Sequence, residues 1–173
     1  MASLARPAGH MTGLSSLNID LDGKRLEILK AALPAVRRVG LLTALQDRAE
    51  RERVAAAEQV ARLLELQLQF FHLASMDQLP RTIDAATRSP IEALMVLGSP
   101  TFFFYSAQIA RLVAKTRLPA ISAWRQFPQA GGLLSYGTNV PSMFRRAAFF
   151  VDKILKGAKP AELPSSSRPS SNS

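Results

Sequence analysis

The chain alternates segments of strand and helical periodicity, and this alternation restricts its fold more than any other feature. Residues 93–97 form a continuous apolar run, which is typical of a strand covered on both faces. Strand-like runs also occur at 37–43, 67–73 and 119–122, each followed by a segment with apolar residues at helical spacing. Because no two-residue hairpin joins these strands, the pattern predicts right-handed βαβ units on a parallel sheet.

The predicted helices lie between and around these strands. They cover 19–33, 49–65, the segment from Pro80 to just before Pro90, 102–116 and 141–155, with a further short strand at 133–136. The fold class is therefore α/β, with a parallel sheet built from βαβ units. A hydrophobic content of 47% and a charged content of 20% suit a globular domain. No apolar run approaches the roughly 20 residues that a membrane-spanning helix needs.

The sequence lacks the residues that several classes of catalytic and metal site require. The chain has no Cys, which excludes disulfide scaffolds, thiol nucleophiles and Cys metal sites. It has only two His, His10 and His72, too few for a metal site built mainly from His. His72 is predicted to lie in a strand and His10 in a loop. The patterns GxSxG, GxGxxG and GxxxxGK[ST] are absent. We therefore predict that the protein is not an enzyme and carries no cofactor.

The net charge of +9 is concentrated in the second half of the chain. Residues 87–173 carry 11 Lys and Arg against 3 Asp and Glu. These cations are scattered over the predicted helices, and no aromatic residues are interleaved with them as in a single-strand binder. They are interpreted as solvated helix faces, and no nucleic-acid partner is predicted.

The candidate ligand-binding residues follow the predicted strands, because ligands of parallel sheets bind beyond the carboxyl ends of the strands. The candidates are Thr43, Ala44, Ser99, Pro100, Trp124, Arg125 and Tyr136. Trp124 is the only tryptophan, and with Arg125 it would offer an apolar platform beside a cation to a small acidic molecule. Structural alternatives stay open: Gly98 and Pro100 would only shape a strand-to-helix turn, Ser99 would only cap the following helix, and Trp124 would anchor the core.

Several segments, taken together and in order, resemble one family over residues 2 to about 164. The sequence is similar to the ABC transporter substrate-binding proteins of the tryptophan/tyrosine-type periplasmic family. The segments that carry the resemblance are ASLARPAGHMTGLS at 2–15, DGKRLE at 22–27, LPAVRRV at 33–39, AGGLLSYG at 130–137, FRRAA at 144–148 and VDKILKGAKP at 151–160.

The resemblance implies a type I periplasmic binding protein, in which two doubly wound α/β lobes close on a small molecule. The ligand it implies is an aromatic amino acid or a related compound, delivered to the permease subunits of an ABC importer from the periplasm. On this interpretation residues 1–15 are a crossover segment and 16–123 one complete lobe. Residues 124–163 are a crossover with part of the other lobe, and the Ser-rich 164–173 are a disordered tail.

The chain also departs from the family pattern. Family members have a signal peptide and a first-lobe half of roughly a hundred residues, a domain's worth of chain, before the residue that corresponds to Met1, and they continue after 164. We therefore expect a truncated fragment that would stay in the cytoplasm if expressed as given and would bind its ligand no more tightly than millimolar. Ala44, Ser99 and His10 replace the Asn, Asp and Asn common in the family. The alternative is a stand-alone cytosolic doubly wound domain, a regulator or an enzyme, completed by dimerisation.

Overall fold

Five strands form one parallel sheet in the computed structural model, which describes residues 18–44 and 48–163. They are β1 (Arg38–Ala44), β2 (Gln67–Leu73), β3 (Ala93–Val96), β4 (Ala120–Ser122) and β5 (Leu134–Ser135). Their order in the sheet is β2-β1-β3-β4-β5, and all four neighbouring pairs are parallel. The predicted parallel sheet is confirmed, and His72 lies in a strand as predicted.

Helices connect consecutive strands, as the periodicity predicts. They are α1 (Asn18–Ala32), α2 (Arg48–Leu63), α3 (Leu79–Arg88), α4 (Pro100–Phe104), α5 (Ser106–Ala114), α6 (Gln126–Gln129) and α7 (Val140–Leu155). The single helix predicted at 102–116 is two helices, because the backbone leaves helical geometry at Tyr105 (φ −100°, ψ 8°). Its start is also earlier than predicted, since the Ser99 hydroxyl caps the helix and Pro100 occupies the first turn.

The core lies on both sides of the sheet. All four residues of β3 are buried, in agreement with the apolar run at this position. On one face Leu26 and Leu29 of α1 and Ala57 and Ala61 of α2 pack in a cluster with alternate residues of the central strands. The other face carries α3 and α5, which contact each other and bury Ile83 and Ile109. A sheet covered on both faces reads as continuous apolar strands, which is the pattern seen here.

The described residues divide into two compact units. The first, residues 18–137, holds the whole sheet. The sequence-based division at 123 assigned the strand near 133–136 to another lobe. The structure differs: β5 pairs with Ile121 and Ser122, and the Tyr136 N–H donates to the Ser122 carbonyl at 2.9 Å, so this strand extends the same sheet. The predicted crossover at 1–15, the tail at 164–173 and His10 lie outside the described residues.

The second unit contains α7. The Asn139 side chain caps this helix by accepting the Ser142 N–H at 3.1 Å, and Gly157 follows its end with a positive φ of 93° that favours glycine. Several large apolar side chains of α7 are exposed, among them Phe144, Phe149 and Leu155.

Candidate functional site

The candidate residues lie at one edge of the sheet, where the parallel strands end. Thr43 and Ala44 close β1, Ser99 follows β3, Trp124 follows β4 and Tyr136 follows β5. The chain leaves β1 toward β2 on one side and leaves β3 toward β4 on the other. The point between β1 and β3 is therefore the topological switch point, where sheets of this order open a crevice for ligands.

Thr43 and Ala44 are both buried, and each is engaged by a neighbouring side chain. The Thr43 hydroxyl lies 2.5 Å from Nδ1 of His72, its register partner on β2. The Ala44 N–H donates to the carboxylate of Glu50 at 3.1 Å. Glu50 lies in the first turn of α2, where a carboxylate also interacts favourably with the helix dipole. The end of β1 is thereby tied to the start of α2.

Ser99 and Pro100 form the turn from β3 into α4. The Ser99 hydroxyl accepts the Phe102 N–H at 3.3 Å, and the residue is buried. Pro100 is exposed in the first turn of the helix. These positions show the capping role that the sequence left open as an alternative to ligand binding.

Trp124 is buried beneath the edge, with 5% of its surface exposed. Its indole meets the Phe103 ring edge to face, with centroids 5.1 Å apart. Its backbone N–H donates to the Ser122 hydroxyl at 3.4 Å. Within residues 18–44 and 48–163 the indole N–H finds no acceptor. Arg125, next in the chain, is exposed at the same edge.

A buried ion pair at this edge was not predicted from the sequence. Asp22 and Arg25, one helical turn apart on α1, are both fully buried, and Arg25 Nη1 donates to Asp22 Oδ1. At the level of the sequence, Asp22 and Arg25 appear only within the DGKRLE segment that carries the family resemblance. Helical spacing was the available signal, because Asp22 and Arg25 share a stripe with the core residues Leu26 and Leu29.

The ion pair contacts the ends of two strands. Asp22 Oδ1 accepts the Gly98 N–H at 3.4 Å, and Arg25 Nε donates to the Tyr136 carbonyl at 2.6 Å. Arg53 of α2 donates to the Gly98 carbonyl. Tyr136 thus takes part in this edge through its backbone, and its side chain is half-buried.

Burial dominates the electrostatics of this cluster. It raises the pKa of the Asp22 carboxyl above its ordinary value, although the charges of Arg25 and Arg53 act in the opposite direction. It lowers the pKa of the Arg25 guanidinium, against the attraction of Asp22. Both shifts have the same cause, since leaving water disfavours each charged form.

Residues 18–44 and 48–163 contain no group of three or more His, Asp or Glu side chains arranged to hold a metal ion. No helix there is long and apolar enough to cross a membrane. A shallow groove of about 410 Å³ lies at the opposite edge of the sheet, lined by residues 32–36, Glu92 and Pro119.

The fold is shared with several solved structures. An L-Trp complex of an ABC domain from Streptococcus pneumonia matches with a TM-score of 0.79 and 21% identity, over 99% of this chain and 59% of that one. A conserved domain protein from Vibrio cholerae matches with a TM-score of 0.80 and 19% identity, over 98% of this chain and 56% of that one. A periplasmic binding protein/LacI transcriptional regulator from Alkaliphilus metalliredigens, complexed with D-xylulofuranose, matches with a TM-score of 0.65 and 13% identity. This match covers 91% of this chain and 62% of that one.

These matches establish the type I periplasmic-binding-protein fold, and the chain spans less than two thirds of the length of each of these structures. No protein of curated function matches the sequence. The family model for ABC transporter substrate-binding proteins matches residues 1–173, and this family is typically periplasmic or extracellular. The chain therefore belongs to the ABC transporter substrate-binding protein family.

Proposed function

We propose that this protein is the solute-binding component of an ABC importer and that the carboxyl edge of its sheet forms one wall of the ligand site. The observation that carries the proposal is the location of Trp124 and of the Gly98–Pro100 turn. The Gly98–Pro100 turn follows β3, which borders the topological switch point, and Trp124 follows β4, the next strand of the sheet. The chain matches a substrate-binding family over its whole length. Ligand sites of parallel sheets lie at this point.

The proposed ligand is a small molecule with an aromatic ring and an acidic group, with aromatic amino acids as the first candidates. The half-buried Phe103 supplies apolar surface at the edge, with the buried Trp124 packed against it, and Arg125 supplies an exposed cation beside it. The unpartnered indole N–H would donate to a polar atom of the ligand. The similarity to a protein solved with L-Trp supports this class.

The remaining parts of the proposal concern partners and location. The protein would act by binding rather than by catalysis, since the chain has no Cys and lacks the motifs of nucleotide, phosphate and acyl-transfer sites. It would work in the periplasm and present its ligand to the permease subunits of the importer, as its family membership suggests.

The test is a nuclear magnetic resonance titration of the isotope-labelled 173-residue chain with L-tryptophan, L-tyrosine and L-phenylalanine. This measurement detects binding even in the millimolar range. Because Trp124 is the only tryptophan, its indole N–H gives a single resonance. We expect saturable shifts of this resonance and of the Gly98 and Ser99 amides.

Matched controls separate the proposed edge from other surfaces. Trp124→Phe keeps an aromatic contact with Phe103 and removes the donor, and it should weaken binding by on the order of 1 kcal/mol. Propionate, which lacks the ring, should shift the indole resonance little. Shifts confined to the groove around Leu33 and Glu92, or no shift with any of the three amino acids, would contradict the proposal.

A further inference from the structure

The Asp22–Arg25 pair fastens one helix to the ends of two strands at the proposed ligand-binding edge. Arg25 uses Nη1 for Asp22 and Nε for the Tyr136 carbonyl at 2.6 Å, so one guanidinium serves two acceptors. Asp22 in turn accepts the Gly98 N–H at 3.4 Å. Gly98 and Tyr136 follow β3 and β5, which lie on either side of β4 and its Trp124.

The packing around Gly98 leaves this arrangement little freedom. A Cβ atom added at Gly98 would lie 3.1 Å from Nη1 of Arg25 and 3.3 Å from Cβ of Ala123, both tighter than ordinary contacts. Arg53 donates to the carbonyl of the same glycine from α2. The turn that leads to Ser99 is therefore held by hydrogen bonds from two helices and by contact with the guanidinium.

Stability alone is a poor explanation for this cluster. Removing two charges from water is expensive, and replacing a buried ion pair by apolar residues is often neutral or stabilising. Asp22 Oδ2 and Arg25 Nη2 are buried and find no hydrogen-bond partner within residues 18–44 and 48–163, which adds to the cost. A planar guanidinium nevertheless fixes the relative position of its acceptors, as no apolar side chain can.

We propose that Arg25, oriented by Asp22, is a positioning residue that sets the relative placement of the Gly98 turn and the Tyr136 strand end, and thereby the shape of the ligand-binding edge. The inference rests on the proposed function for its consequence in binding. The geometric part, that Arg25 determines where these two backbone segments lie, is measurable without any ligand.

The decisive variant is Arg25→Lys in the full chain. A lysine ammonium retains the positive charge beside Asp22, but it lacks the fork that reaches Asp22 and the Tyr136 carbonyl together. We expect the unfolding midpoint to fall less than when the cation is removed altogether, because the ion pair with Asp22 persists and only the hydrogen bond to the Tyr136 carbonyl is lost. The amides of Gly98 and Gly137 should shift, since the Gly137 N–H shares a peptide group with the Tyr136 carbonyl. Affinity for the best amino acid ligand should fall about tenfold.

Two further variants separate positioning from general loss of structure. Lys24→Met removes an exposed ion pair with Glu27 on the same helix, and it should change neither the two glycine amides nor the affinity. Arg25→Met leaves Asp22 buried without its cation, so it should lower the unfolding midpoint as well as the affinity.

The outcomes distinguish the two proposals. If Arg25→Lys leaves the Gly98 and Gly137 amides at their original positions, or binds ligand as tightly as the unmodified chain, the positioning role is overturned. If the unmodified chain shows no ligand-induced shift, the proposed function fails. The glycine amides of the lysine variant then still decide whether Arg25 sets the geometry of the edge.

Discussion

Glu92 lies just before β3, and its carboxylate links the N-terminal ends of β3 and β1. One oxygen accepts the backbone N–H groups of Arg37 and Arg38 at 2.7 and 2.9 Å, and the other accepts from the Arg38 guanidinium at 2.9 Å. The two backbone hydrogen bonds lower the pKa of Glu92, and the charges of the arginines add to this effect. The ionised form is therefore the one that the folded state favours.

This shift predicts a pH dependence of stability. A carboxyl group whose pKa is lowered on folding stabilises the protein above its unfolded-state pKa, near 4.5, and this contribution disappears as the pH falls through the lower folded-state value. Glu92→Gln should be less stable than the unmodified chain at neutral pH, and the difference should shrink below about pH 4.5. Thermal unfolding followed by circular dichroism over this range measures both.

Glu58→Gln is the matched control, since it removes the same charge from the surface of α2. It should give a smaller difference in unfolding midpoint at neutral pH. A difference between Glu92→Gln and the unmodified chain that stays constant from neutral to acidic pH would contradict the role assigned to the Glu92 carboxylate.

At the scale of elements, α1 and α2 approach each other closely at Gly23. A Cβ atom at this position would lie 2.7 Å from Cγ2 of Val60, which is too close for a real contact. The β-branched Val60 has little freedom to move away within a helix. Gly23 is thus required by the contact between the two helices, although glycine is a poor helix former.

Gly23→Ala should therefore destabilise the protein by about 1 kcal/mol, because the cost of overpacking exceeds the gain in helix propensity. Urea denaturation of the full chain measures the change. In a Val60→Ala background the clash is absent, and the same substitution should become neutral or stabilising. Stabilisation by Gly23→Ala in the original background would show that the helices separate freely at this point.

Also at the scale of elements, the strands were predicted from the sequence more fully than the burial of charged residues on α1. The strand at 93–97 was predicted because both of its faces are covered, so its residues form one apolar run. The sequence also located β5, but a two-residue strand carries no periodicity that indicates which sheet it joins. The burial of Asp22 and Arg25 was missed because an i, i+3 pair of opposite charges has the same pattern on a solvated face as in the core.

The candidate site was predicted only in part, for a related reason. The topology of a parallel sheet places all strand ends at one edge, so Thr43, Ser99 and Trp124 could be located from strand positions alone. Which of their polar atoms are already engaged depends on tertiary contacts such as that between Thr43 and His72. Residues that hold the edge from α1 lie far from it in the sequence and carry no motif.

At the scale of the whole molecule, residues 18–137 contain all five strands of the sheet and the helices α1 to α6. The buried residues of the core cluster belong to this unit, and Leu134 and Tyr136 near its end pack against them. We predict that a chain of residues 18–137 folds alone, with helical circular dichroism and a single cooperative urea transition. Domains of this size that bury one continuous core commonly fold independently.

The control is a chain of residues 18–123, which ends at the domain boundary predicted from the sequence. Comparing its stability with that of residues 18–137 tests where the domain ends. The shorter chain lacks β5 and the fully buried Phe127, and it leaves Arg25 without the Tyr136 carbonyl as an acceptor. Losing a buried aromatic side chain and a charged hydrogen bond costs several kcal/mol together, a large part of the stability of a domain. We expect it to show no cooperative transition, with poorly dispersed amide resonances. Equal stability of the two chains would place the boundary at 123.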